Sequence, residues 1–355
     1  MINEKSLQGA GNERLYKGSE NLSNEQASVK NIDLLRKIES GDYLNRVGSL
    51  EYAPANDILM AASLEPVPQS LWGEGLIFEN EVTCLYSDSG TGKSILSVQL
   101  GNDIALVGRR VLYVDFELSR AQFRKRYTND NGEDFEFSEN FLRCTSAQYA
   151  SFDEETIISD IRSACADSGA EVVIIDNLTW IDSNVEKGDA AASLMKELVA
   201  MKQAHGLTVI VISHTPKRDL FRPITQNDLS GSKKIMNFVD AAITIGKSIK
   251  DPNLRYIKQI KVRSDRFKYD SDNVLVCELS HGEQGNYLHF EPVRTAPESE
   301  LLKSIDDEFR DILVDRVQEL TNKGRSQREI ARELGISKST VVNYQKRNKS
   351  DECPY

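Results

Sequence analysis

The 355-residue chain has few of the features that mark exported, disulfide-built or membrane-embedded proteins. Its five cysteines, Cys84, Cys144, Cys165, Cys277 and Cys353, are odd in number, widely spaced and without a C-x-x-C pair. That excludes a disulfide framework and gives no zinc-site spacing. No run of about 18 apolar residues occurs, and the polar start MINEKSLQGAGNERLYKGSE has no apolar core of a secretory signal. We therefore expect a cytoplasmic protein without a membrane contact. Positive charge is also scarce, with 44 Lys and Arg against 55 Asp and Glu for a net charge of -11. Such a chain does not coat nucleic acid or anionic membrane along its whole surface, so any nucleic-acid contact must be local. Internal repeats and low-complexity tracts are absent as well.

What is present divides into three parts. Residues 1–66 are rich in Asn, Ser, Glu and Gly and read as a polar, partly disordered arm. One amphipathic helix is expected in it, through Val29, Ile32, Leu35 and Ile38. Residues 67–296 alternate short β-rich runs with longer helical stretches, the pattern of a mostly parallel sheet covered by helices, an α/β architecture. VTCLY, VLYVD, EVVIIDN, LTVIVIS and AAITI are its expected strands, and LRYIKQIKVR, NVLVCELS and NYLHF an antiparallel edge meander. Residues 297–355 turn helical, with Leu302, Ile305, Phe309, Ile312, Leu313 and Leu320 expected on one face of a small all-α domain.

Chemistry concentrates first in SDSGTGKS, residues 87–94, between an apolar strand and an apolar-periodic helix. This is the context a phosphate-binding loop requires. Gly90 and Gly92 free backbone N–H groups to face phosphate oxygens, Lys93 reaches the β- and γ-phosphates, and Ser94 is a Mg²⁺ ligand. Ser87, Asp88, Ser89 and Thr91 complete the ATP-binding loop. Where the usual pattern opens with glycine this chain has Ser87, a small residue at a strand exit. Asp176 ends a hydrophobic strand, as expected of a carboxylate holding Mg²⁺ directly or through water. Glu117, just past another strand end, is suited to orient or deprotonate the attacking water, with Asp115 as the competing carboxylate. His214 follows the strand LTVIVIS at the sheet rim, where a γ-phosphate sensor would stand.

The second concentration is SQREIARELGISKSTVVNYQKRN. Ala331 lies four residues before Gly335, and Ile330, Leu334, Ile336 and Val341 take core spacings, with Ser337 as a helix cap. That is a helix-turn-helix pattern. Between Lys323 and Lys349 there are eight Lys/Arg and two Glu, a local reversal of the chain's acidity. Lys338, Ser339, Thr340 and Asn343 would face the DNA major groove, and Arg325, Arg328, Lys346 and Arg347 its phosphates. A helical hairpin that binds protein is the alternative.

Taken in order, SDSGTGKS, YVDFELS, VVIIDN and VISHTPK resemble the RecA-like ATPase core, and in particular the RepA-type helicases of plasmids and mobile elements, relatives of DnaB-type helicases. The resemblance implies ATP and Mg²⁺, a homo-oligomeric ring such as a hexamer, and the roles given above for Lys93, Ser94, Glu117, Asp176 and His214. It also implies a basic finger reaching a neighbour's ATP site, here Lys261 and Arg263 in IKVRSDRF. Channel loops contacting DNA are implied too, and Lys217, Arg218 and Arg222 around Phe221, followed by Lys233 and Lys234, suit a single strand, with a mobile surface loop as the alternative. The expected function is a DNA-associated ATPase in replication, mobilisation or excision of an element. The alternative is an ATP-switched DNA-binding regulator that separates no strands.

Overall fold

The computed structural model describes residues 24–146, 154–181, 189–215, 222–229, 232–302 and 305–347. The chain divides into two compact units, Met1–Val67 and Pro68–Tyr355. In the first, α1 (Asn24–Ser40) is followed by a small hairpin, β1 (Asn45–Val47) and β2 (Leu50–Tyr52), and by α2 (Ala55–Leu64). The expected helix is present as α1, with Ile38 and Leu35 half-buried and Ile32 exposed. The hairpin and α2 are additions to the expected arm, α2 carrying the apolar run Ile58–Ala62.

The second unit opens with the hairpin β3 (Ser70–Trp72) and β4 (Ile77–Phe78). The parallel strands and their crossovers follow: β5 (Val82–Ser87), α3 (Lys93–Leu106), β6 (Val111–Asp115), α4 (Arg120–Arg126), β7 (Phe141–Cys144), α5 (Glu154–Ser168) and β8 (Val172–Asp176). Then come α6 (Leu178–Ile181), α7 (Asp189–His205), β9 (Thr208–His214), α8 (Ser232–Phe238), β10 (Ala241–Lys247), β11 (Leu254–Lys261), β12 (Val274–Ser280) and β13 (His289–Ala296). The order across the nine-strand sheet is β13-β12-β11-β10-β5-β9-β8-β6-β7. From β10 to β7 every neighbour is parallel, and from β10 to β13 every neighbour is antiparallel.

The central strands are continuous apolar runs because both of their faces are covered. On one face Leu96, Leu100 and Ile104 of α3 pack with Leu85, Ile174 and Ile212, and on the other Leu194, Met195 and Leu198 of α7 pack with Tyr86, Ile175 and Val211. The last strand differs from the expected NYLHF: pairing with β12 runs on through Pro292, opposite Cys277 at a register shift. A proline is tolerated there because β13 is an edge strand and its outer N–H positions need no partner. The edge strand β7 was not expected at all, since FLRC is short and half-exposed.

The C-terminal helices are α9 (Glu298–Leu302), α10 (Ile305–Asn322), α11 (Gln327–Leu334) and α12 (Lys338–Arg347). Of the expected single face, Leu302 and Leu320 are buried, Leu313 is half-buried and Ile312 is turned out, while the side chains of Ile305 and Phe309 lie outside the described residues. Ile312 is 64% exposed, while Val317 and Leu320 are buried with Ile330 and Val341 and against Ala331. Ser326 and Glu329 form a reciprocal cap at the start of α11, and Gly335 ends it at φ 65°, where a left-handed turn favours glycine. Ser337 Oγ accepts the Thr340 N–H at 3.0 Å and so caps α12.

Glu298, the first residue of α9, is 1% exposed and ties the antiparallel strands to the segment after β9. Its carboxylate accepts from Lys258 Nζ at 2.6 Å, from the Tyr256 hydroxyl at 2.9 Å and from the Ile224 N–H at 2.9 Å. Glu298→Gln keeps the shape and leaves the Lys258 ammonium buried without its counter-charge. Urea unfolding of this variant is expected to show a loss of about 3–5 kcal/mol.

Candidate nucleotide site

The outgoing connection of β5 leads through α3 to β6, across β9 and β8, whereas that of β9 leads to β10 on the other side of β5. Adjacent strands that send their chains in opposite directions leave a crevice at their carboxyl ends, where α/β sheets bind ligands. Ser87 and His214 are paired in register at this point.

Ser87 is fully buried and its backbone is not left-handed, so the position does not demand glycine. Its hydroxyl bonds to that of Thr91, and its carbonyl accepts from Lys93 Nζ at 2.8 Å and from the Thr215 N–H at 3.2 Å. Asp88 takes the Thr215 hydroxyl through Oδ1 and contributes its carbonyl to Lys93 at 3.1 Å. The positions that do need glycine are Gly90 (φ 70°) and Gly92 (φ 108°), where a side chain on Gly92 would come within 2.8 Å of the Phe290 ring. Gly92 is also the cap of α3 and supplies no side-chain acceptor, which leaves the helix's first N–H groups for an anion.

The loop opens onto a cleft of about 320 Å³ lined by Ser89, Gly90, Lys93 and Ser94. Glu117, His214, Arg126 and Leu279 close its other sides. Burial lowers the Lys93 ammonium to about 8, against the opposing pull of Asp176, Glu117 and Asp88. Burial raises the Asp176 carboxyl to about 6, and the charge of Glu117 adds to the shift; hydrogen bonds from Tyr113 and Ser94 oppose it. Tyr113 donates its hydroxyl to Asp176 Oδ2 at 2.8 Å. The imidazole of His214, 3.6 Å from Glu117, holds the Glu117 carboxyl below the ordinary carboxylate range. His214 Nδ1 is itself buried without a hydrogen-bond partner.

Two residues that sequence reasoning passed over join this group. Asn177, 2% exposed, donates from Nδ2 to Glu117 Oε1 and lies 3.1 Å from His214 Nε2, so a single amide connects the ends of β8, β9 and the turn after β6. It was visible as the last letter of EVVIIDN but carried no charge to draw notice. Arg126, from the last turn of α4, brings a cation to the cleft in the same chain. Asp115, the competing carboxylate, is instead withdrawn from the cleft: its side chain is fully buried against Arg143.

The remaining candidates lie elsewhere. Lys261 and Arg263 follow β11 to the opposite end of the sheet, near the start of β5 and β10. There Lys261 Nζ caps α8 through the Met236 and Val239 carbonyls at 2.6 and 2.7 Å, and Arg263 pairs with Asp240 at 2.9 Å. They do not meet this chain's own phosphate loop. Around α11 and α12, Arg325, Arg328, Lys338, Ser339 and Asn343 are exposed and Thr340 is half-buried. Lys346 and Arg347 lie in the last turn of α12, and their side chains are outside the described residues, as is the side chain of Lys233. Lys217, Arg218 and Phe221 also fall outside them; Arg222 is exposed and Lys234 half-buried.

A glycine loop at the switch point, a buried lysine, a helix start without a side-chain cap and a strand-end aspartate define a P-loop nucleotide-binding domain. Residues 50–219 match the family profile described as an AAA domain, a stretch that holds the phosphate loop, Glu117, Asp176, Asn177 and His214 but not Leu279 on the cleft's far side. The chain is also similar to the DNA repair protein RadA of Mycobacterium tuberculosis, in two strains, at 25% identity over 194 residues. That alignment covers 53% of this chain and 36% of the relative, so the chain spans about a third of the length of these curated proteins. Among the described residues no helix is long and apolar enough to cross a membrane.

The raised Asp176 carboxyl has a stability consequence. Its proton is held more tightly in the folded chain than in the unfolded one, so stability present below about pH 4 is lost as pH rises through about 6. Asp176→Asn, neutral throughout, is expected to unfold at higher denaturant than the parent at pH 8, by about 2–3 kcal/mol. Its advantage should vanish below pH 4, which paired urea titrations at the two pH values would show.

Proposed function

We propose that this chain is a Mg²⁺-dependent, DNA-associated ATPase akin to the RepA-type helicases, working as a homo-oligomer in replication, mobilisation or excision of a plasmid or other mobile element. The observation that carries the reading is the cleft lined by Lys93, Ser94, Glu117 and His214, with Asn177 joining the last two and Asp176 close to Ser94 and Glu117, in a chain whose α11 and α12 carry the helix-turn-helix sequence pattern. Similarity to a protein named for DNA repair supports the DNA-related part.

ATP is the substrate. The N–H groups of the Gly90–Lys93 turn and the ammonium of Lys93 bind its phosphates, in a cleft where Lys93 already sits among carbonyls and carboxylates. The donor set suits Mg²⁺, with the Ser94 hydroxyl and Asp176 carboxylate as neighbouring hard oxygen ligands. Among the described residues no group of three or more His, Cys, Asp or Glu side chains could hold a metal, so Mg²⁺ would arrive with the nucleotide's phosphates. When bound it would neutralise charge on the phosphoryl oxygens. Glu117, kept ionised by His214 and Asn177, accepts the proton of the attacking water. His214 is set to read the γ-phosphate. Arg126 supplies a cation from the same chain, whereas Lys261 and Arg263 act only on a neighbour's site, after Arg263 leaves Asp240. Repeated helix-turn-helix modules in an oligomer raise effective concentration on DNA through Arg325, Arg328, Lys338, Ser339, Thr340, Asn343, Lys346 and Arg347.

Steady-state ATPase and forked-duplex displacement assays test the reading. Lys93→Ala should abolish hydrolysis, and normal turnover by that variant would overturn the proposal. Ser87→Gly should keep ATP affinity within about threefold, since it removes only hydroxyl contacts within the loop, to the Thr91 hydroxyl and the Asp88 carbonyl, and leaves the Ser87 carbonyl on Lys93 in place. ATP-dependent strand displacement is the expected outcome; hydrolysis stimulated by DNA without displacement would leave the ATP-switched regulator. For the shared site, mixing Arg263→Ala with Lys93→Ala subunits should restore part of the hydrolysis that each lacks.

A further inference from the structure

Glu117 lies two residues beyond the end of β6, on a short turn before α4. A carboxylate on a free turn would wander over several ångströms, yet this one meets Asn177 and His214 from two other strand ends. The turn is held from behind by a buried ion pair that the chemistry above does not use. Asp115 Oδ1 accepts the backbone N–H of Glu117 at 3.0 Å and of Leu118 at 2.9 Å. Its other oxygen, Oδ2, accepts from Arg143 Nε at 3.0 Å and Nη2 at 2.9 Å. The same Nη2 donates to the Leu118 carbonyl at 2.5 Å, so the guanidinium and the carboxylate grip Leu118 at both its N–H and its C=O. The guanidinium also lies 4.5 Å from the centre of the Phe123 ring, in the helix that brings Arg126 to the cleft. Asp115 is fully buried and Arg143 is 16% exposed at the side chain.

We propose that Arg143, acting through Asp115, is a positioning residue for Glu117. Its planar fork fixes the turn on which the glutamate stands, and thereby the distance of that carboxylate from the reacting water. A lysine cannot do this, because one ammonium cannot present three donors in the plane that Asp115 and Leu118 require. The inference rests on the reading of Glu117 as the proton acceptor.

The test uses the full chain as four proteins: the parent, Arg143→Lys, Glu117→Gln and the double variant. Arg143→Lys retains the buried positive charge. It is expected to bind a non-hydrolysable ATP analogue as the parent does, with KM unchanged and kcat lowered about 10- to 100-fold, the scale of an ångström-sized misplacement. In the Glu117→Gln background the same change should alter the residual turnover by less than about twofold, because the residue acts through a group already removed. Parent-level kcat in Arg143→Lys would overturn the proposal, and so would an equal fold-loss in both backgrounds, the mark of general damage. Glu117→Gln with parent-level turnover would overturn the proton-acceptor reading, and this one with it; a slow Glu117→Gln beside a fast Arg143→Lys defeats the positioning role alone. Should circular dichroism show Arg143→Lys unfolded, Asp115→Asn replaces it in the same cycle, with the same expected and overturning results.

Discussion

The structure turns on one buried ammonium. Lys93 is 7% exposed at the first turn of α3, and the elements around it are arranged to keep that charge supplied with oxygen. The Ser87 and Asp88 carbonyls accept from it directly, and Asp176, Glu117 and Asp88 offset the burial that lowers its basicity. A cation in such a place is costly unless paired, so the ends of β5, β6 and β8 have to arrive together at the cleft. The parallel sheet does this through register, with Ser87 opposite His214 and Asp115 opposite Asp176.

Around that charge the carboxylates divide by environment. Asp176 is buried next to Glu117 and holds its proton to about 6, which makes it a group waiting for a positive partner. Glu117 faces His214 and Asn177 and stays ionised. Asp115, two residues before Glu117 in sequence, is spent on backbone N–H groups and Arg143. Three acids within or beside one cleft thus take three tasks, and the difference lies in what each oxygen touches.

Much of this was legible from residue order. The central strands announced themselves as apolar runs because both of their faces are covered, and the glycine loop because its spacing has few other uses. The edges were less legible: β7 is short and half-exposed, and β13 carries Pro292, which reads as a linker unless one knows the strand's outer side is free. Asn177 was overlooked because an uncharged amide has no signature until its neighbours are known. Arg143 was overlooked because its partner lies 28 positions away. In α10, periodicity placed Leu320 inward correctly but also Ile312, which is exposed, and it passed over Val317, which packing against α11 and α12 buries.

Local chemistry decided the elements: which runs become strands, where glycine must stand at Gly90, Gly92 and Gly335, and which serines cap helices. These are short-range effects, settled by backbone sterics and by acceptors within a few residues. What the tertiary structure alone decided is which side chains meet. Strand order across a sheet is set by long connections that local patterns do not encode, and it brings Glu117, Asn177 and His214 to one point while carrying Lys261 and Arg263 to the far end of the sheet. Whether a carboxylate becomes a base, a metal ligand or a clamp follows from that meeting, because burial and the nearest charge set its protonation.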